Sequence, residues 1–250
     1  MTAVIQALGS EAVKLRRTAF LPVAIIFPSL VGTIQVLLLL TQPQRIGFLG
    51  YGRFAYYMRQ SALSTWALLL LGMFITIEVV LLAGVDHEGE HWKYLFARAT
   101  PRWAIYTAKL LLGIGAVALA SIVLAVVLYL TSHFLAGSRP VPTGYPPILW
   151  TDLAQGILRI FLASWSLIAL QTWLSLRLAN PIIPASVGLI GTAAGMLLPL
   201  DPGRLWVRFD PWLMPFFARD NELVPLALGI GGGLLLAALG CMDVTRKDVL

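Results

Sequence analysis

Six blocks of apolar residues run along the chain, at 20–40, 62–84, 104–130, 153–176, 182–200 and 223–242, with polar segments between them. A helix of about 20 residues crosses the hydrocarbon core of a bilayer. The pattern therefore predicts an all-α fold, six transmembrane helices in a single transmembrane domain over residues 1–250. The fifth block is short, and the Asn180-Pro181 turn before it predicts a helical hairpin with the fourth. Ahead of the first block, residues 2–17 have helical periodicity. Val4, Ile5, Leu8, Ala12 and Leu15 fall on one face, and Gln6, Ser10, Glu11, Lys14 and Arg17 on the other. Such a helix suits the membrane interface.

Composition removes the soluble alternatives. Of 250 residues, 58% are hydrophobic and 12% charged, against about 25% charged in a soluble domain. The net charge of +6 comes from bases lying between apolar blocks, where they set topology and meet lipid headgroups. No basic tract points to nucleic acid as a partner. An arrangement with the N-terminus inside places Lys14, Arg16, Arg17, Lys93, Arg98, Arg102, Lys109, Arg177, Arg246 and Lys247 in the cytoplasm. It leaves Arg45, Arg53, Arg59, Arg139, Arg204, Arg208 and Arg219 outside. An even number of spans then puts both termini in the cytoplasm. The lone Cys241 makes neither an internal disulfide nor a cysteine metal site. The first block is too long for a cleavable signal peptide and carries Pro22 and Pro28. No internal repeat supports an inverted-repeat transporter. Gly191-x-x-x-Gly195 and Gly229-x-x-x-Gly233 allow close helix packing, within the chain or between chains.

The densest charge lies in the loop 85–99. Asp86 can cap a short helix, with Glu88 and Glu90 in its first turns and Lys93 and Arg98 towards its end, as the helix dipole favours. Trp92, Leu95 and Phe96 share one face. A helix of this kind, lying across the cytoplasmic ends of the spans, offers a docking surface; the competing reading is a solvated loop. Thr100-Pro101 starts the next helix. There Trp103 and Tyr106 sit at interface depth, and Lys109 can snorkel to the headgroups.

The same loop holds His87-Glu88-Gly89-Glu90-His91, an HExxH pattern. On a helix its two imidazoles would bind zinc and its glutamate would activate water. Gly89 weakens that helix, His133 falls at the opposite membrane surface, and no third ligand is evident among Glu78, Asp243 and Asp248. An intramembrane zinc protease is therefore the minor alternative. A non-transporting membrane assembly or sensor protein is another. The chain has neither a G-x-x-x-x-G-K-[ST] loop nor a G-x-S-x-G elbow.

Two charges fall inside spans. Glu78 lies about 9 Å deep from Gly84 and Arg159 about 9 Å deep from Leu153, at 1.5 Å per residue. Glu78 is expected to bond Lys109 or Arg102, or else to handle substrate or protons. Arg159 is expected to snorkel with help from Gln155, or else to touch substrate. Residues 201–222 carry Trp206, Phe209, Trp212, Phe216 and Phe217, which predicts short extracellular interfacial or re-entrant helices.

The run Asp86-His87-x-Gly89-x-x-Trp92-Lys93-x-Leu95-x-Ala97, followed by Pro101-Arg102, Tyr106 and Lys109, resembles the cytoplasmic loop of ABC-2 type permeases. The closest likeness is to permeases of lantibiotic- and bacitracin-type peptide antibiotic export and immunity. Glu11-x-x-Lys14-x-x-Arg17 before the first span is similar too. The resemblance implies a non-enzymatic transport subunit of a bacterial plasma membrane. Residues 1–18 would be the interfacial elbow, and the loop 85–99 the coupling helix for a separate ATP-binding subunit. Asp86, His87, Glu88, Gly89, Glu90, His91, Trp92, Lys93, Leu95, Phe96, Arg98 and Arg102 would make that contact. It implies no cofactor on this chain, ATP and magnesium on the partner, and a second permease copy or related permease beside it. The implied substrate is amphipathic, a peptide antibiotic or lipid-like compound.

Overall fold

The computed structural model describes residues 2–15, 18–41, 50–87, 101–136, 148–178, 180–197, 209–220 and 222–246. Among them every regular element is helical: α1 (Thr2–Leu15), α2 (Phe20–Thr41), α3 (Gly50–Thr65), a π-helical turn (Trp66–Leu70), α4 (Leu71–His87), α5 (Arg102–Ala136), α6 (Trp150–Ala163), α7 (Trp165–Arg177), α8 (Ile182–Leu197), α9 (Met214–Ala218) and α10 (Leu223–Arg246).

Among the described residues, five stretches are long and apolar enough to cross a membrane: Phe20–Leu38, Arg53–Gly84, Arg102–Leu135, Trp150–Arg177 and Leu223–Arg246. They match five of the six apolar blocks. The block at 182–200 gives α8, whose 16 residues reach about 24 Å, short of a core about 30 Å thick.

The second span begins well before residue 62. Gly50–Thr65 is already helix, although Arg53, Tyr56, Tyr57, Arg59 and Gln60 read as loop. Partners absorb some of these polar groups: Arg59 lies 3.6 Å from the Asp152 carboxylate, and Gln60 donates to Asp220 at 2.6 Å. At the other end Asp86 and His87 belong to α4. No proline stops the helix after Gly84, and Asp86 and His87 prolong it to the edge of the described residues.

Outer faces are apolar, and the interior sets a few small and polar groups among large apolar side chains such as Trp66 and Phe74. Leu37, Ile122, Ile190, Leu234 and Leu235 are exposed, whereas Gln35, Thr76, Thr172 and Ser175 are buried. That distribution fits lipid outside and close helix contact inside. The α4–α8 contact shows how. A Cβ at Gly188 would collide with Thr76, and one at Gly72 would collide with Thr192. Each threonine fills the gap left by the opposite glycine and donates its hydroxyl to its own helix, Thr76 to the Gly72 carbonyl (2.7 Å) and Thr192 to the Gly188 carbonyl (2.8 Å). Both Gly-x-x-x-Gly pairs are used within the chain. Gly229 and Gly233 close on Ala163, Trp165 and Ser166, while Gly191 and Gly195 close on Trp212 and Leu213. The fourth span breaks at Ser164, whose hydroxyl bonds the Phe161 carbonyl at 2.7 Å.

α1 lies against the start of α5, where Ala7 packs on Ala104 and Ala108. Its buried stripe is Ala7, Glu11 and Leu15, while Ile5 and Val13 are 64% and 63% exposed. Periodicity had put Glu11 on the polar outer face and Ile5 on the apolar stripe. The alanine contact brings the helices close, and a buried lysine on α5 draws Glu11 inward.

Candidate functional site at the junction of α1, α4 and α5

Lys109 is one of the largest fully buried side chains, with 1% of its surface exposed. Its ammonium donates to the Leu82 carbonyl of α4 at 2.6 Å. It also pairs with Glu11 Oε2 of α1 at 2.8 Å. The other Glu11 oxygen binds Lys14. One side chain of α5 thus fastens α1 and α4 together. α4 leads into residues 88–100 and α5 leads out of them.

The positions predicted to dock a partner divide accordingly. Glu88, Gly89, Glu90, His91, Trp92, Lys93, Leu95, Phe96 and Arg98 lie outside the described residues. Asp86 and His87 form the last turn of α4. Arg102 opens α5 directly after Pro101, whose carbonyl accepts the Ala104 N–H at 2.9 Å.

Glu78 is buried in the second span, and neither carboxylate oxygen has a hydrogen-bond partner among the described residues. The expected bonds to Lys109 and Arg102 are not formed. Lys109 reaches towards the membrane surface, to Leu82 and α1; Glu78 lies one turn deeper, about 6 Å along α4 from Leu82. Gln171, Ser175 and the Tyr106 hydroxyl are likewise buried with no hydrogen-bond partner among the described residues. Arg159 is half-buried on α6 and exchanges no hydrogen bond with Gln155, which is exposed.

The zinc reading gains no support. Among the described residues, no group of three or more His, Cys, Asp or Glu side chains is placed to hold a metal. Asp243 is engaged by Trp173 Nε1 at 3.0 Å and by Arg177 at 2.6 Å. His133 stands near the far end of α5, about 46 Å from Arg102 along the helix.

Of the aromatic segment 201–222, residues 209–220 and 222 are described, and the middle of that stretch tucks inward. Leu213, Met214, Phe217 and Ala218 are buried. Trp212 wedges between Gly72 and Gly191, with its backbone N–H held by Asp210 Oδ1 at 2.9 Å. Desolvation raises the Asp210 carboxyl above its ordinary pKa, opposed by the Trp212 and Leu213 N–H groups. Sequence reasoning missed the burial of Glu11. Its only signal was the Glu11-x-x-Lys14 spacing, which names no distant partner.

A family model described as ABC-2 family transporter protein matches residues 7–195, from α1 to α8. No curated protein matches the chain. The matched region holds the Glu11–Lys109 pair, the charged loop and four of the five long apolar helices. This multi-pass membrane protein belongs to the ABC-2 transporter family.

Proposed function

We propose that a separate ATP-binding subunit docks on residues 85–99 of this permease and drives an amphipathic substrate, a peptide antibiotic or lipid-like compound, across or out of the membrane. The observation that carries this reading is the Lys109 junction. A partner pushing on the loop between α4 and α5 would push on two helices already fastened to each other and to α1. In this reading α8 is also a span, the fifth of six, both termini are cytoplasmic, and α1 is an interfacial elbow whose exposed Ile5 and Val13 meet lipid. The substrate class rests on the resemblance to lantibiotic- and bacitracin-type permeases. ATP and magnesium bind the partner, and a second permease copy or related permease completes the pathway. Nucleotide shifts the states only as far as it binds them with different affinities.

Purification from native membranes in mild detergent, with mass spectrometry of the partners, tests the docking. Wild type is expected to bring down a P-loop ATPase, and the Trp92→Ala/Phe96→Ala pair is expected to lose it. Equal recovery with both proteins would move the docking site elsewhere.

A further inference from the structure

The second span has a π-helical turn at Trp66–Leu70. Its backbone N–H at Leu71 reaches back to the Trp66 carbonyl, one residue further than in an α-helix. A turn of this kind carries one extra residue within an otherwise regular helix and often marks a functional site. Here it separates two arms with different attachments. The outer arm, α3, is tied to the segment around α9. Gln60 donates to Asp220 at 2.6 Å, and Arg219 donates to Ser64 at 2.6 Å. The inner arm, α4, is locked to α8 by the Thr76–Gly188 and Gly72–Thr192 contacts, and to α5 through the Leu82 carbonyl.

Just below the turn, the Trp212 indole fills the notch between Gly72 and Gly191. Its N–H has no hydrogen-bond partner among the described residues, nor has that of the buried Trp66 within the turn. The wedge is therefore held by packing and by the Asp210 turn behind it. A part seated this way can leave its notch without breaking an indole hydrogen bond.

The geometry points to a hinge: the second span bends at Trp66–Leu70, so that α3 and α9 move as one cap over α4 and α8, and Trp212 withdraws from between Gly72 and Gly191 as the cap lifts. Hinges absorb a large motion in a few residues. The inference rests on the transporter reading only for what drives the motion, which is nucleotide on the partner.

Deleting Leu69 tests it, because removing the extra residue restores a regular α-helix with both arms in register. In wild-type permease alone, in lipid nanodiscs, amide exchange at residues 67–71 is expected to run about tenfold faster than in the flanking turns. The deletion variant, shown to be folded by its melting profile, is expected to lose that difference. Equal exchange in turn and flanks of the wild type would overturn the hinge. In the complex with its ATPase, spin labels at Arg53→Cys and Ile190→Cys, in a Cys241→Ser background, are expected to change separation between nucleotide-free and ATP–Mg states. The deletion should abolish that change; its persistence would also overturn the hinge. If no ATPase accompanies the wild type, the transporter reading falls, and the exchange measurement still decides the hinge.

Discussion

Glu11 on α1 and Lys109 on α5 form an ion pair of 2.8 Å with both side chains buried. Removing Glu11 takes the counter-charge from buried Lys109, and removing Lys109 leaves Glu11 with Lys14 but without its buried partner; breaking a buried pair costs up to about 3–5 kcal/mol. Glu11→Gln and Lys109→Met are therefore each expected to lower the melting temperature in detergent sharply. The double variant Glu11→Leu/Lys109→Met should recover most of the loss. Additive losses would mean that the two charges do not act as a pair.

The close approach of α10 to the break in the fourth span depends on glycine. A Cβ at Gly229 would collide with the Ala163 backbone, which cannot rotate aside, whereas one at Gly231 meets nothing within 4 Å. Gly229→Ala is expected to destabilise by about 1–3 kcal/mol. Gly231→Ala, an exchange for a better helix former, should be neutral or stabilising by up to about 1 kcal/mol. Thermal unfolding of the two variants side by side distinguishes this packing from a general intolerance of substitution in α10.

Glu78 has no hydrogen-bond partner among the described residues. An ionised carboxylate left so in a membrane span is costly, so Glu78→Gln is expected to melt at or above the wild-type temperature. If that stable variant also loses transport, Glu78 serves substrate or proton handling. A marked fall in stability would instead reveal a carboxylate-specific structural bond.

Asp210 lies outside the spans and has a folded-state pKa above its unfolded value, because desolvation outweighs its backbone hydrogen bonds. The folded protein thus binds this proton more tightly. The stabilisation is full below the unfolded pKa and lost as pH rises through the folded pKa. Asp210→Asn keeps an oxygen to accept the Trp212 N–H and cannot ionise. Its melting temperature should exceed that of wild type by a margin that widens from acidic to neutral pH. A margin independent of pH would rule out ionisation of Asp210 as the cause.

Local pattern carried most of the fold. Runs of apolar residues marked five spans because lipid demands them, and Gly-x-x-x-Gly spacing marked close contacts. Which helices those glycines meet was not legible, since Gly229 and Ala163 are far apart in sequence. The helical state of 50–61 was hidden because Arg59 and Gln60 find partners from Asp152 and Asp220, distant in the chain. Glu11 misled for the same reason. Helical periodicity places a charge outward unless another helix supplies its counter-charge, and Lys109 does so. The charged, aromatic loop was legible as a pattern, and its core at 88–100 lies outside the described residues.

Photocrosslinking from position 92 tests the central claim most directly. A photoreactive residue in place of Trp92 should join the permease to a chain carrying a P-loop. The same residue in place of Phe134, exposed near the other end of α5, should not. No adduct from position 92, or the same adduct from both positions, would contradict docking of an ATP-binding subunit on this loop.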